Sequence, residues 1–437
     1  MKRVYLHTLG CKVNQFETAA FADSLKGSGL NLVDDPARAD VIVINTCAVT
    51  AKASAQSRRD LRRLARVNPG AVLAVTGCHV QLAATELRAL PDLQPERLLL
   101  IGNDRKSELV EFIVHRHRPA VDPSLQDMET IRPISRLPIG HFAGRTRALL
   151  RVQDGCNHFC SYCIVPFTRG RSRSLPLAEI LDQVASYRKH GHQEVVVTGI
   201  HVGQYGNDLA EGQTIVTLLE TLCSRFPELR FRLSSIEPTE INEELLSLMK
   251  ERDNFMPHLH IPLQSGDAFI LARMNRSYRP ETFVEKLTLC RRMVADAAIG
   301  IDVLVGFPGE RQSHFDNTVS LLEQTDFTYL HAFPYSPRPG TRAASFAEQV
   351  PNRVKQQRVA LLRELSERRR NGFYRRFLGT RRPALIESER DRDGLLQGHT
   401  DNYITVRVEG DDRLINRVVQ VELSSVTATG VTARPEA

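Results

Sequence analysis

No run of the chain approaches the roughly 20 uninterrupted apolar residues that a membrane-spanning helix needs, so no membrane span is expected. The N-terminus, MKRVYLHTLGCKVN, lacks a long apolar core behind its basic residues and reads as a strand rather than a signal peptide. Internal repeats and low-complexity tracts are missing as well, which sets aside solenoids and arrays. Tryptophan is absent, which decides little. What is left is an ordinary globular composition, 42% hydrophobic and 25% charged, in a chain of 437 residues. That length suits about two to four domains, and a cytoplasmic location is expected. Cysteine is scarce: eight residues in a chain of this kind point to metal binding or catalysis rather than to disulfide staples, where the spacing supports it.

Acidic residues are scarce in one segment. Residues 353–382 (RVKQQRVALLRELSERRRNGFYRRFLGTRR) hold eleven Lys/Arg against two Asp/Glu, a local charge of +9 in a chain of net charge +7. Nearly all of these cations are Arg, the better bidentate partner for phosphate. A solvated helix face is the alternative reading.

The first ~117 residues alternate strand-like runs (Val4–Thr8, Val41–Asn45, Val72–Thr76) with helical stretches (Glu17–Gly27, Ala53–Val67). This rhythm predicts a doubly wound parallel sheet with helices on both faces. Residues 118–141, with four prolines and little periodicity, read as a linker. From 142 to 371 six strand-like runs (Leu149–Gln153, Val195–Thr198, Arg230–Ser235, His258–Leu263, Gly300–Val305, Thr328–Phe333) alternate with helical patterns and predict a partial or full (β/α) barrel. Its active site belongs at the C-terminal ends of the strands. The chain from 372 to 437 turns to short alternating strands, a small all-β barrel. The fold class is therefore α/β with a C-terminal all-β unit.

Cys156-Asn-His-Phe-Cys160-Ser-Tyr-Cys163 follows the first barrel strand. Three thiolates on one loop can hold three irons of a 4Fe–4S cluster and leave the fourth open to chelate S-adenosylmethionine. A zinc site or buried thiols are the alternatives; zinc would want a fourth ligand. Here the sequence resembles the radical S-adenosylmethionine superfamily over roughly residues 142–371. The resemblance implies cosubstrate contacts at Thr198 and Gly199, at Ser234, Ser235 and Glu237 in RLSSIEP, at Gln264 and Ser265 in HIPLQSGD, and at Gly306 in DVLVGFPGE. Turn chemistry at strand ends would explain any one of these alone. Their order along six strands carries the weight.

Cys11, Cys47 and Cys78 each end a predicted parallel strand, in VYLHTLGC, VIVINTC and VLAVTGC. Ligands bind beyond such ends, so the three thiols converge on one crevice and suggest a second 4Fe–4S cluster. Small core residues are the alternative. Cys223 and Cys290 fall within amphipathic helices and are expected in the core. Arg169, Arg171 and Arg173, after the first loop, are candidates for a phosphate-binding surface or a solvated basic loop.

TLGCKVNQFET, INTCAVTAKA, VTGC, DGCNHFCSYCIVPFTRGRSRS, TGIHVGQYG and GLLQGHTDNYITVRV together resemble the radical methylthiotransferase family across nearly the whole chain. The resemblance implies an N-terminal three-cysteine domain (1–117), a linker (118–141), a radical core (142–371) and a TRAM-like RNA-binding barrel (372–437). GCKVNQ followed by NTCAVT resembles the branch acting on N6-threonylcarbamoyladenosine next to the tRNA anticodon. Branches acting on isopentenyladenosine or on a ribosomal protein are the alternatives, and a non-catalytic iron–sulfur RNA-binding protein is the rival of another class. The implied cofactors are two 4Fe–4S clusters and S-adenosylmethionine, as methyl donor and radical source. The implied partners are tRNA, a reductant such as a flavodoxin or ferredoxin, and a sulfur donor.

Overall fold

The computed structural model of the protein describes residues 2–91, 93–115, 125, 127–131, 133–142, 144–209 and 212–436. Strands β1 (Arg3–Thr8), β2 (Asn31–Leu32), β3 (Val41–Thr46), β4 (Val72–Gly77) and β5 (Leu98–Ile101) form a parallel sheet in the order β2-β1-β3-β4-β5. Strand β3 shows why both faces are covered. Val41 and Val43 enter a core with Phe16, Phe21 and Leu25 of helix α1 (Lys12–Gly27). Ile42 and Ile44 enter another with Leu61 and Leu64 of α2 (Ala51–Val67). Helix α3 (Cys78–Arg88) joins the α2 side, and α4 (Leu109–His115) the α1 side. Such burial contributes ~1.5–3 kcal/mol for each large apolar side chain.

Helix α1 starts five residues before the expected Glu17. Cys11 is its extended N-cap, and the first turns bury Asn14 and Glu17, polar residues that mask the apolar period. Helix α3 and strand β5 were not expected. In α3 only Cys78, His79, Val80 and Leu87 are buried, a sparse stripe, and β5 is four apolar residues too short to show a period. Of the expected linker, residues 118–124, 126 and 132 lie outside the described residues, and 133–142 contain no helix or strand.

The central region carries β6 (Arg147–Arg151), the small hairpin of β7 (Gln153–Asp154) with β8 (Arg173–Ser174), then β9 (Glu194–Thr198), β10 (Arg230–Leu233), β11 (His258–Gln264), β12 (Ala298–Val305) and β13 (Tyr329–Pro334). All six expected barrel strands are present and parallel. They form two three-stranded sheets, β10-β9-β6 and β11-β12-β13, linked among the described residues by the bridges Phe231↔Phe255 and Ser235↔His260. The result is a partial barrel. Helices α5 (Val165–Arg169), α6 (Leu177–Lys189), α7 (Ile215–Arg225), α8 (Glu243–Glu251), α9 (Ala268–Arg273), α10 (Pro280–Met293) and α11 (Gln312–Gln324) alternate with the strands. Thr214, Asn242 and Asp267 cap α7, α8 and α9 by accepting backbone N–H groups, each cap stabilising by about 1 kcal/mol. Cys223 and Cys290 are buried in α7 and α10, as expected. Helix α1 packs on β6, so the N-terminal sheet and the partial barrel share one core.

After α12 (Asn352–Arg375), strands β14 (Arg381–Arg390), β15 (Leu396–Thr400), β16 (Thr405–Val408), β17 (Val418–Thr427) and β18 (Gly430–Pro435) close a barrel, in the order β14-β15-β16-β18-β17, around a separate core. It covers the N-terminal ends of the central strands. Arg232 donates to the Thr400 and Asp401 carbonyls, Arg147 pairs with Glu387 at 2.7 Å, and Arg382 bridges Asp296 and Asp401.

The basic segment is less free than its charge suggests. Lys355 and Arg358 are buried, Arg358 against Glu310 at 2.7 Å. Arg353, Arg363, Arg368, Arg375, Arg376 and Arg381 stay exposed. Among the described residues no helix is long and apolar enough to cross a membrane.

Candidate active site

Strands β1, β3 and β4 are neighbours in register, with Thr8 opposite Asn45 and Thr46 opposite Gly77. Their C-terminal ends therefore bring Cys11, Cys47 and Cys78 to one edge of the sheet. Two glycines permit this. A Cβ on Gly10 would stand 2.7 Å from Cys47 Sγ, and one on Gly77 (φ +100°) would stand 2.3 Å from the Thr46 carbonyl oxygen. Asn14 locks the loops by donating to the Leu9 and Thr46 carbonyls at 2.7 and 3.0 Å. Cys11 is accessible to solvent, yet the protein packed around it raises its thiol pKa; burial pushes that of Cys47 up to about 11, and the neighbouring thiols add to both.

Gly155, at φ +78°, turns the chain from β7 into the second loop. Cys156, Cys160 and Cys163 follow, with Cys163 N donating to Cys160 O at 3.0 Å. Burial raises the Cys160 thiol, partly offset by Arg276, whose guanidinium donates to Cys160 Sγ at 3.2 Å. Burial and the other two thiols push Cys163 up to about 12. His201 Nδ1 lies 3.4 Å from Cys156 Sγ, and its Nε2 lies 2.6 Å from Glu240. Burial opposes protonation of His201, yet those two partners raise its pKa to about 10.

A buried charge network ties the two loops together. Arg169 on α5 donates to Glu17 at 2.9 Å, to Asp154 at 3.0 Å and to Asn14 at 2.7 Å. Asp154 lies two residues before Cys156, and Asn14 three after Cys11. Lys106 also pairs with Glu17. Burial opposes ionisation of Glu17, but Arg169, Lys106 and Arg151 outweigh it and hold its pKa well below the usual range. This corrects the expectation for the basic loop. Arg169 and Arg173 are internal, 1% and 5% exposed, because buried carboxylates and carbonyls claim them; only Arg171 is on the surface, over the Phe159 ring. Further ties run from Asn103 to the Thr168 carbonyl, from Arg338 to Ser54, and from Ala51 N to Ser336. The strand-end loops of the N-terminal sheet thus face the loops leaving the barrel.

The donor sets can be tested against a metal group. Among the described residues, no cysteine belongs to a group of three or more His, Cys, Asp or Glu whose ligand atoms lie within 4.8 Å of one another. Sulfurs on one tetrahedral zinc would be ~3.8 Å apart. Each triad is too widely spread for a single ion, whereas a 4Fe–4S cluster engages each sulfur through a different iron. Three thiols at each site are the donor set that such a cluster takes.

The other expected contacts take varied positions. Thr198 ends β9 and is buried; the Gly199 α-carbon lies close to Gln153. Ser234 N donates to the Val197 carbonyl, and Ser235 Oγ lies 2.9 Å from His260 Nδ1. Glu237 pairs with Arg276 beside Cys160. Gln264 ends β11 with φ +63°, and Ser265 is buried against Thr318. Gly306 directly follows β12, its N–H donating to Glu310 and its α-carbon backed by Lys355. Sequence reasoning missed Lys12, His201 and Arg276. The first two lie inside the motifs GCKVNQ and TGIHVGQYG; for Arg276 no local signal exists.

Three family descriptions match the chain: Uncharacterized protein family UPF0004 at residues 3–97, the Radical SAM superfamily at 150–322 and the TRAM domain at 375–435. The chain is 36% identical to the threonylcarbamoyladenosine tRNA methylthiotransferase MtaB of Bacillus subtilis, over 97% of this chain and 94% of that protein. It is 36% identical to the Aquifex aeolicus protein of the same name, over 93% and 97%. A tRNA-2-methylthio-N(6)-dimethylallyladenosine synthase of Coxiella burnetii is 31% identical over 97% of each chain. Among solved structures, the radical S-adenosylmethionine methyltransferase TsrM of Kitasatospora setae superposes with TM-score 0.57 at 15% identity, covering 79% of this chain and 74% of that one. That likeness supports the fold alone.

Proposed function

The chain belongs to the radical S-adenosylmethionine methylthiotransferase family, and from that premise we propose that it adds a methylthio group to carbon 2 of N6-threonylcarbamoyladenosine next to the tRNA anticodon. The whole-length likeness to relatives named for this activity carries the reading. The cofactors are two 4Fe–4S clusters and S-adenosylmethionine. Cys156, Cys160 and Cys163 would hold one cluster, and Cys11, Cys47 and Cys78 the other. Bound together, these groups supply radical and sulfur-transfer chemistry at an unactivated C–H bond, which acid–base side chains cannot reach.

The chain's own residues prepare the site. Buried thiols resist ionisation, so loading either triad must displace protons. Arg276, fixed by Glu237, offsets part of that cost at Cys160. Arg169 fixes one loop against the other. Thr198, Gly199, Ser234, Ser235, Glu237, Gln264 and Gly306 would frame the cosubstrate at or near the strand ends. tRNA is the substrate, and the C-terminal barrel with the exposed arginines of α12 would hold its phosphates. The chemistry calls for a reductant such as a flavodoxin or ferredoxin and for a sulfur donor, and a tRNA substrate places the protein in the cytoplasm. We divide the chain at 1–117, 118–141, 142–371 and 372–437.

The test offers reconstituted enzyme three tRNAs, carrying threonylcarbamoyladenosine, isopentenyladenosine or unmodified adenosine, with nucleoside mass spectrometry as readout. Methylthiolation of the first alone is expected. Preference for the prenylated tRNA, or activity only on a ribosomal protein, would overturn the substrate and leave the chemistry intact.

A further inference from the structure

Lys12, directly after Cys11, lines a chamber open to solvent. Its side chain is accessible to water, yet enough protein surrounds it that desolvation lowers its pKa. The chamber has a volume of about 540 Å³ and is walled by Lys12, Gln15, Arg147, Arg232, His258 and Tyr403, among others. It lies between the start of α1, the inside of the partial barrel and the C-terminal barrel.

The chamber is electropositive, and its cations differ in what they are free to bind. Arg147 is committed to Glu387 at 2.7 Å. Arg232 is committed to Glu194 at 2.8 Å and to two backbone carbonyls. Lys12 and Arg145 have no hydrogen-bond or ion-pair partner among the described residues, and of the two Lys12 is the one joined directly to Cys11. Tyr403 reports the local potential. Burial would raise its phenol pKa, but Arg147, Lys12 and Arg232 outweigh burial and lower it.

Beyond the chamber wall, on the barrel side, Asp302, His260 and His331 lie within electrostatic reach of Lys12. Asp302 and His331 are register neighbours on β12 and β13, and His260 Nε2 lies 3.4 Å from Asp302. The ligand atoms of these three lie within 4.8 Å of one another. Burial first, and in addition the Lys12 ammonium, lower the pKa of both imidazoles, which therefore stand neutral as hydrogen-bonding groups. What remains is an unpaired ammonium, with Arg145 as a second free cation of the chamber, beside a cluster of hydrogen-bonding groups. That combination suits a ligand carrying a carboxylate on a short polar chain.

The substrate has such a group. Carbon 2 and the N6 substituent of the adenine flank the same ring nitrogen, so a substituent on N6 lodges close to the reacting carbon. We propose that the Lys12 chamber is the threonylcarbamoyl subsite, with Lys12 pairing the carboxylate and Asp302, His260 and His331 meeting the hydroxyl and ureido groups. This inference rests on the substrate reading above. Lys12 is a specificity residue in it, contributing through a charge-assisted hydrogen bond that leaves the site unpaired when the carboxylate is missing.

The probe is an anticodon stem-loop carrying either threonylcarbamoyladenosine or its neutral threoninamide analogue. Affinity is read by fluorescence anisotropy on iron-loaded protein, and kcat/KM by product mass. Wild type should prefer the carboxylate by about 10- to 100-fold. In Lys12→Gln the preference should shrink to within about threefold, the loss falling on the carboxylate substrate, while Lys12→Arg keeps most of it. Full preference retained in Lys12→Gln would overturn the subsite. Equal affinity of wild type for the two stem-loops would overturn it without any variant. Wild type that instead modifies prenylated RNA would overturn the substrate reading, a separate and distinguishable failure.

Discussion

Cys156, Cys160 and Cys163 are carried by one eight-residue loop, whereas Cys11, Cys47 and Cys78 sit at the ends of three strands, 36 and 31 residues apart. The first set needs only a local turn after β7. The second exists only when β1, β3 and β4 are paired in register and α1 is seated against them. One triad is therefore a property of a loop and the other a property of a folded domain. Damage to sheet packing in the N-terminal domain should reach the second and spare the first. Damage to the Arg169 network should reach both.

The largest expected effect separates the triads by chemistry. Ala at Cys156, Cys160 or Cys163 should reduce reductive cleavage of S-adenosylmethionine to background. Ala at Cys11, Cys47 or Cys78 should leave cleavage measurable and stop methylthiolation. Quantifying 5′-deoxyadenosine beside the modified nucleoside checks this; normal methylthiolation by Cys47→Ala would break the comparison.

Next comes Arg169→Gln, which takes from Glu17 and Asp154 the buried cation they share, leaving Lys106 on the first and Arg173 near the second. Breaking a buried pair from one side costs about 3–5 kcal/mol. Denaturant unfolding should show that loss, and iron retention should fall at both triads. A loss under about 1 kcal/mol would mean the network does not join them.

A smaller, one-sided effect is expected from Gly77→Ala. Its φ of +100° and the Thr46 oxygen 2.3 Å from the new Cβ force β3 and β4 apart where Cys47 and Cys78 meet. A cost of about 1–3 kcal/mol is expected, with iron lost only from the N-terminal set. Equal loss from both sets would contradict domain-level control. The smallest effect concerns neither triad. Arg375→Ala removes one exposed cation of α12, and the log–log salt dependence of tRNA binding should change by about 0.7–0.9. An unchanged slope would place phosphate contacts elsewhere.

The same contrast explains what could be read from the chain. The six barrel strands, the β3 run VIVINT and the CxxxCxxC loop advertise themselves locally, by period or spacing. The second triad was legible because each cysteine ends a strand and parallel topology brings strand ends together. Charge was harder to read. Arg169, Arg173, Arg358 and Lys355 look like surface in sequence and are buried, because their partners, Glu17, Asp154, Glu310 and the Tyr335 carbonyl, come from elsewhere in the chain. Lys12 sits inside a motif read for its cysteine, and only the packing of α1 on the barrel turns it toward Asp302. Helix α3 stayed hidden because it begins at Cys78 with no break after β4.

The central claim is that each triad holds its own cluster. It is tested most directly by iron and sulfide analysis with Mössbauer spectroscopy on anaerobically reconstituted wild type and Cys47→Ala. About eight irons in wild type and about four in the variant, with the remaining signal unchanged, are predicted. About four irons in both proteins would contradict the account.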